Sequence, residues 1–116
     1  MNKREIGKLQ EERVAEYLKD MGYQILALNY RCSFGEIDII AKDKDYLVFI
    51  EVKYRRGARL GAPEEAVDNR KQRKICQTAS FYLTKEYRCD ECPVRFDVAS
   101  VTDKDIYMIS NAFEYR

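Results

Sequence analysis

The sequence predicts an α/β fold in which a mixed β-sheet is flanked by helices. Three observations carry this. Segments 4–21 and 64–85 repeat apolar residues at helical spacing; the stretch 23–54 holds three short apolar runs broken by turn residues; and two more strand-like runs follow the second helix. The resulting order, α-β-β-β-α-β-β, is that of one sheet with helices packed on it. A chain of 116 residues suits a single domain over 1–116, and a 46% hydrophobic share against 35% charged residues is enough for one modest core.

In the first helix, residues 4–21, Val14, Ala15, Leu18 and Met21 fall on one face, and Gly22 supplies a stop. Residues 23–31 form the first strand, Ser33-Phe34-Gly35 a turn, and residues 36–42 a second strand with period-two alternation. After a polar hairpin connection, residues 46–54 contain Leu47-Val48-Phe49-Ile50, a continuous apolar run suited to a central strand covered on both faces. A Gly-, Arg- and Pro-containing loop covers 55–63. The second helix, 64–85, has Val67, Ile75, Ala79, Tyr82 and Leu83 as its inner stripe. A loop over 86–93 leads to closing strands at 94–101 and 106–110 around a Thr102-Asp103-Lys104 turn.

Composition removes several function classes. No apolar run approaches the ~20 residues of a membrane span. Residues 1–8 open a polar helix with no signal-peptide core behind it, so a cytoplasmic protein without a membrane partner is expected. Histidine is absent, which excludes His-based triads, His metal ligands and His general bases. No glycine-rich phosphate cradle is present to support P-loop nucleotide hydrolysis. The four cysteines, Cys32, Cys76, Cys89 and Cys92, are expected as reduced thiols in such a compartment. Cys89-Asp90-Glu91-Cys92 has the spacing of half a zinc site, which Cys32 and Cys76 complete only if the fold gathers all four. The net charge is only +1, but the stretch from Lys53 to Lys74 sets eight basic residues against three acidic ones, a local +5. Arg55, Arg56, Arg59, Lys71 and Gln72 are its candidate nucleic-acid contacts; a solvated loop and helix face is the alternative.

Residues 35–56 carry the chemistry. Strand alternation puts Glu36, Asp38 and Ile40 on one face of the second strand, and Phe49, Glu51 and Lys53 on one face of the third. A short hairpin makes the two strands antiparallel neighbours, so Asp38 can lie beside Glu51 and Lys53. Carboxylates next to a buried apolar run are costly unless compensated, and two together repel. A divalent cation such as Mg²⁺ relieves both problems. A nearby lysine can position or deprotonate water, or steady charge on a phosphate, and the combination suits metal-assisted phosphodiester hydrolysis. Read more plainly, the same residues are an ion-pair cluster at a sheet end. Glu11 lies on the inward stripe of the first helix, one turn after Gly7, and is a candidate third carboxylate for the same metal; Glu12 replaces it if the helical phase slips by one.

Gly35-Glu36-Ile37-Asp38-Ile39-Ile40 followed by Val48-Phe49-Ile50-Glu51-Val52-Lys53-Tyr54-Arg55 resembles the signature of the YraN-like family of bacterial proteins. The likeness runs nearly end to end, taking in Gly7, Glu11, Asn29, Arg31, Gly61, Pro63, Lys71-Gln72, Arg95-Phe96-Asp97 and Ala112-Phe113. That family is similar in turn to the PD-(D/E)-x-K nucleases with a restriction-endonuclease-like fold, especially archaeal-type Holliday junction resolvases. The resemblance implies that Glu11, Asp38, Glu51 and the carbonyl of Val52 hold Mg²⁺ or Mn²⁺, that Lys53 is the catalytic lysine, and that Lys71 or Gln72 supports the site. Ile37 stands where the superfamily motif has proline. Three functions follow as expectations: a metal-dependent endonuclease acting on DNA, branched or damaged, as a homodimer if it cuts symmetric junctions; a non-catalytic nucleic-acid-binding protein on the same fold; and a zinc-stabilised interaction module.

Overall fold

A computed structural model describes residues 1–56 and 67–116. Helix α1 spans Lys3–Asp20, strands β1, β2 and β3 span Gln24–Cys32, Gly35–Asp43 and Tyr46–Tyr54, helix α2 spans Asn69–Tyr82, and strands β4 and β5 span Val94–Val101 and Ile106–Phe113. The five strands form one mixed sheet in sequence order, antiparallel except for the parallel pair β3–β4. A parallel pair requires a crossover, and α2 lies within it. The order α-β-β-β-α-β-β expected from the sequence is the observed one.

Each helix covers one face. Val14, Ala15 and Leu18 of α1 pack with Ile39, Ala41, Val48, Ile50, Ala99 and Val101. Ile75, Cys76, Ala79 and Tyr82 of α2 pack with Ile40, Leu47, Phe49, Phe96 and Val98 on the other face. The apolar run of β3 divides between them, Leu47 and Phe49 toward α2, Val48 and Ile50 toward α1. Side chains of this size contribute roughly 1.5–3 kcal/mol each on full burial, so the two-sided sheet explains the loss of alternation in that strand. Tyrosines serve this packing: Tyr82 meets Tyr30 edge-on at 5.1 Å between ring centroids and Phe49 at 6.1 Å.

Local sequence sets the element ends. Asn2 caps α1, accepting from the Glu5 amide at 2.9 Å while the Glu5 carboxylate reaches back to the Asn2 amide, a reciprocal capping box. Helix α2 starts at Asn69, not at residue 64, because Asp68 is extended and caps the Lys71 amide at 2.8 Å. Val67 is buried just ahead of it, while positions 64–66 lie outside the described residues. Regular α-helix ends at Tyr82 and continues as one π-helical turn, Leu83–Tyr87, which Arg88 closes in a left-handed conformation. Strand β5 runs three residues beyond the expected 110, since Asn111 at φ 54° bulges the ladder and lets Phe113 pair with Phe96. Cys89 and Cys92 are joined as a disulfide where free thiols were expected; their Cα atoms lie 5.9 Å apart, within bridging range. Cys76 is buried on the inner face of α2 and Cys32 ends β1, so the four cysteines form no zinc set among the described residues.

Gly35 has a position no other residue fills well. Its φ is 156°, and a Cβ there would meet Thr78 Oγ1 of α2 at 3.2 Å. Gly35→Ala is expected to cost about 1–3 kcal/mol, from backbone strain and the crowded helix contact. Urea unfolding checks this, and a change below about 0.5 kcal/mol would show that β2 shifts freely here.

Candidate functional site

The β2–β3 ladder pairs Asp43 with Tyr46 through to Ile39 with Ile50 and then stops. Beyond Ile50, β3 stays paired only with β4, out to Tyr54 opposite Val101. The amides of Leu47 and Arg55 donate to carbonyls of Pro93 and Val101, on the β4 side. Odd-numbered residues of β3 therefore bond toward β4, and even-numbered ones point their N–H and C=O toward β2. Where the ladder ends, the Val52 amide has no backbone acceptor on β2 and donates instead to Asp38 Oδ2 at 2.8 Å. By the same parity the Val52 carbonyl faces this opening.

Asp38 lies opposite Asn29 of β1, which has a left-handed φ of 53° between the pairs Leu28–Ile39 and Tyr30–Ile37. Asparagine tolerates this conformation. On β2, Ile37 joins the core under α2 while Ile39 joins the core under α1, so the strand phase changes between them. Simple alternation, which sets Glu36, Asp38 and Ile40 on one face, therefore fails here: Ile40 packs toward α2, whereas Glu36 lines a cleft beside α1. Asp38, 9% exposed, sits at the phase change between the two layers.

The structure brings three carboxylates together at this point. Glu11 approaches Asp38 from α1, and Glu51 approaches it from β3. Burial, then the charge of Asp38, pushes the Glu11 carboxyl up to about 7, with the Asn29 side chain opposing the shift. Burial, then a hydrogen bond and the charge of Asp38, pushes Glu51 up to about 8, against the pull of Lys71 and Lys53. Oε1 of Glu11 is buried with no hydrogen-bond partner. Lys71 Nζ lies 3.5 Å from Glu51 Oε2, so α2 does contribute to the site. Gln72 does not: its amide donates to the Val67 carbonyl at 2.7 Å and its oxygen accepts from Arg116. Arg55 is partly buried and Arg56 exposed at the end of β3, and Arg70, Arg73 and Lys74 are exposed along α2. Arg59 falls outside the described residues. Asn29 was missed as a site residue; an asparagine in an otherwise strand-forming segment was the available signal.

These donors suit a hard divalent cation: carboxylate oxygens, a backbone carbonyl facing the same gap, one oxygen lacking a partner, and proton affinities raised by mutual proximity. They are not closed around a point. Among the described residues no three Asp, Glu, Cys or His side chains are grouped tightly enough to hold a metal ion as they stand.

The raised carboxyls set a pH dependence. Above the ordinary glutamate value of 4.5, the unfolded chain releases protons that folded Glu11 and Glu51 keep up to about 7 and about 8. Folding then takes up protons, so stability falls as pH rises across that window and levels off above it. In chelator, the melting temperature is expected to fall from pH 5 to pH 9, and Glu51→Gln to flatten the decline. A midpoint that rises over the same range would show that the carboxylates are not packed together.

An α/β protein with an acidic cluster where two central strands separate is the class that fold and site define. The chain belongs to the family described as Uncharacterised protein family UPF0102, which matches residues 10–101. It is 49% identical over 114 residues to the UPF0102 protein of Lachnoclostridium phytofermentans, covering 98% of this chain and 97% of that one. It is 44% identical to the UPF0102 protein of Caldicellulosiruptor saccharolyticus (97% and 100% covered), and 45% identical to that of Persephonella marina (93% and 92%). The matches span nearly the whole of both chains, and the YraN-like likeness read from the sequence is this family.

Proposed function

We propose that this protein is a divalent-metal-dependent endonuclease that hydrolyses phosphodiester bonds in DNA, branched or damaged DNA being the expected substrate. The observation that carries the reading is the meeting of Glu11, Asp38 and Glu51 at the gap between β2 and β3, beside Lys53. Glu11, Asp38, Glu51 and the Val52 carbonyl would hold Mg²⁺ or Mn²⁺. Bound there, the ion would supply charge neutralisation at the phosphate and a water of lowered pKa. The chain's own residues do the rest. The Val52 amide fixes the Asp38 carboxylate, Lys71 steadies Glu51, and Lys53, whose charge reaches Glu51, would orient water or balance phosphate charge. Exposed Arg56, Arg70, Arg73 and Lys74 offer phosphate contacts on the α2 side.

No helix among the described residues is long and apolar enough to cross a membrane. A cytoplasmic location is proposed as the one that gives access to DNA, and there the Cys89–Cys92 bond would be exposed to the thiol pool. A homodimer is proposed only for cutting symmetric junctions, which takes two sites.

The test is a metal titration of purified protein on linear, nicked, flapped and four-way DNA, wild type against Asp38→Ala. Cleavage that needs Mg²⁺ or Mn²⁺ and disappears in the variant is expected. Cleavage that survives the substitution comes from another enzyme and defeats the reading. Salt-sensitive binding with no cleavage in any metal selects the non-catalytic alternative.

A further inference from the structure

The first turns of α1 carry Arg4, Gly7, Lys8 and Glu11 at spacings of three and four residues, on one face of the helix. This face lines an open cleft of about 510 Å³, whose opposite wall is Asn29 and Arg31 of β1 with Glu36 of β2. Glu11 and Asn29, which meet at the carboxylate cluster, close the inner end. Arg4 and Lys8 lie further out, about 6 Å apart along the helix axis, and both are exposed. Glu36 pairs with Arg31 and holds that guanidinium at the cleft wall. A Cβ at Gly7 would meet nothing within 4 Å, so a larger side chain there would project into the cleft.

Among the described residues the lining sets three cations, Arg4, Lys8 and Arg31, against the carboxylates Glu11 and Glu36, and holds no aromatic ring. Bases are gripped without sequence preference by stacking on aromatic faces, whereas a wall of Arg and Lys suits phosphates. The volume is that of a small-ligand pocket. The row ends at Glu11, a member of the acidic cluster, so a strand lying along it would run its backbone toward that cluster.

We propose that this cleft is a track for the sugar-phosphate backbone of one DNA strand, with Arg4 and Lys8 taking phosphates beside the reacting one, independent of sequence. The proposal rests on the nuclease reading only for which phosphate reacts; the binding itself does not require cleavage.

The experiment measures fluorescence anisotropy of two labelled 20-nucleotide single strands of unrelated sequence, in chelator, from 50 to 300 mM salt. Wild type is compared with Arg4→Ala/Lys8→Ala, with Gly7→Leu, which fills the cleft without removing charge, and with Lys44→Ala at the far hairpin. The double variant is expected to bind both strands about tenfold or more weakly at 150 mM salt. Its log–log salt slope should be shallower by about 0.7 for each lost phosphate contact. Gly7→Leu should weaken binding with the slope of the remaining contacts, and Lys44→Ala should match wild type. If the protein cleaves, the double variant should raise KM and leave kcat unchanged. Wild-type protein that binds neither strand, or a double variant that binds as wild type does, overturns the cleft. Absence of cleavage in every metal, with the binding losses present, rejects the nuclease reading and leaves the cleft standing.

Discussion

Asp38→Asn is expected to remove metal-dependent cleavage, by roughly 10³-fold or more, while leaving the fold intact. A loss of that size corresponds to about 4 kcal/mol of transition-state stabilisation. The side chain has two tasks that this substitution separates. One is structural: Oδ2 accepts the Val52 amide at the point where β2 and β3 part. An amide oxygen can still accept that hydrogen bond. The other is electrostatic: the Asp38 charge helps push Glu11 up to about 7 and Glu51 up to about 8. Removing it lets the two glutamates ionise nearer their ordinary range. The variant should therefore be as stable as wild type at pH 6 and more stable at pH 9. Lost cleavage with gained stability is the pattern of a functional site that carries strain. If Asp38→Asn lost both activity and stability at every pH, the carboxylate would be a structural ion-pair partner. Parallel pH-dependent melts and cleavage assays decide between the two.

Arg95→Met is expected to destabilise the protein by about 3–5 kcal/mol, a large share of the 5–15 kcal/mol that holds a typical domain. Arg95 Nε lies 3.0 and 3.1 Å from the two carboxylate oxygens of Asp97, Nη1 lies 3.2 Å from Asp43, and Nη2 donates to the Tyr23 hydroxyl at 2.8 Å. The guanidinium also lies 5.6 Å from the Tyr46 ring centroid. Burial alone would lower the proton affinity of Arg95, but Asp97 more than offsets it and the net shift is upward. Asp97 is 1% exposed. Without Arg95, among the described residues it keeps only the Asn111 amide, at 2.9 Å, and its buried charge is left uncompensated. Adding Asp97→Asn should recover most of the loss, because an amide still accepts from Asn111 and carries no charge. Urea unfolding of the four proteins in this double-mutant cycle gives the coupling directly. An Arg95→Met cost below about 1 kcal/mol would mean that water reaches Asp97. Arg95 binds Asp43 beside the β2–β3 hairpin, at the opposite end of β2 from Asp38, so this network supports the sheet and not the acidic cluster.

The sequence by itself determined the element order, because the apolar period is a local property: three to four in α1 and α2, two or continuous in the strands. It also singled out Asp38, Glu51 and Lys53, since charges adjoining Val48-Phe49-Ile50 conflict with their surroundings and local conflicts are visible in one dimension. Glu11 was legible for the same reason, as a carboxylate on an apolar stripe. Tertiary structure decided what periodicity cannot express. Asn111 adopts a left-handed conformation at the bulge of the β4–β5 ladder, and β2 changes phase at Asp38, opposite the left-handed Asn29, so counting by twos fails at both places. The separation of β2 from β3 after Ile39 and Ile50 turns three acidic residues into one cluster, because an acceptor-free Val52 amide draws Asp38 into the gap. Lys71 and Gln72 are neighbours in sequence, yet helical rotation sends one to Glu51 and the other to Val67 and Arg116. The opening between α1 and the sheet that leads to Glu11 depends on the packing of elements distant in sequence, and no local pattern encodes it.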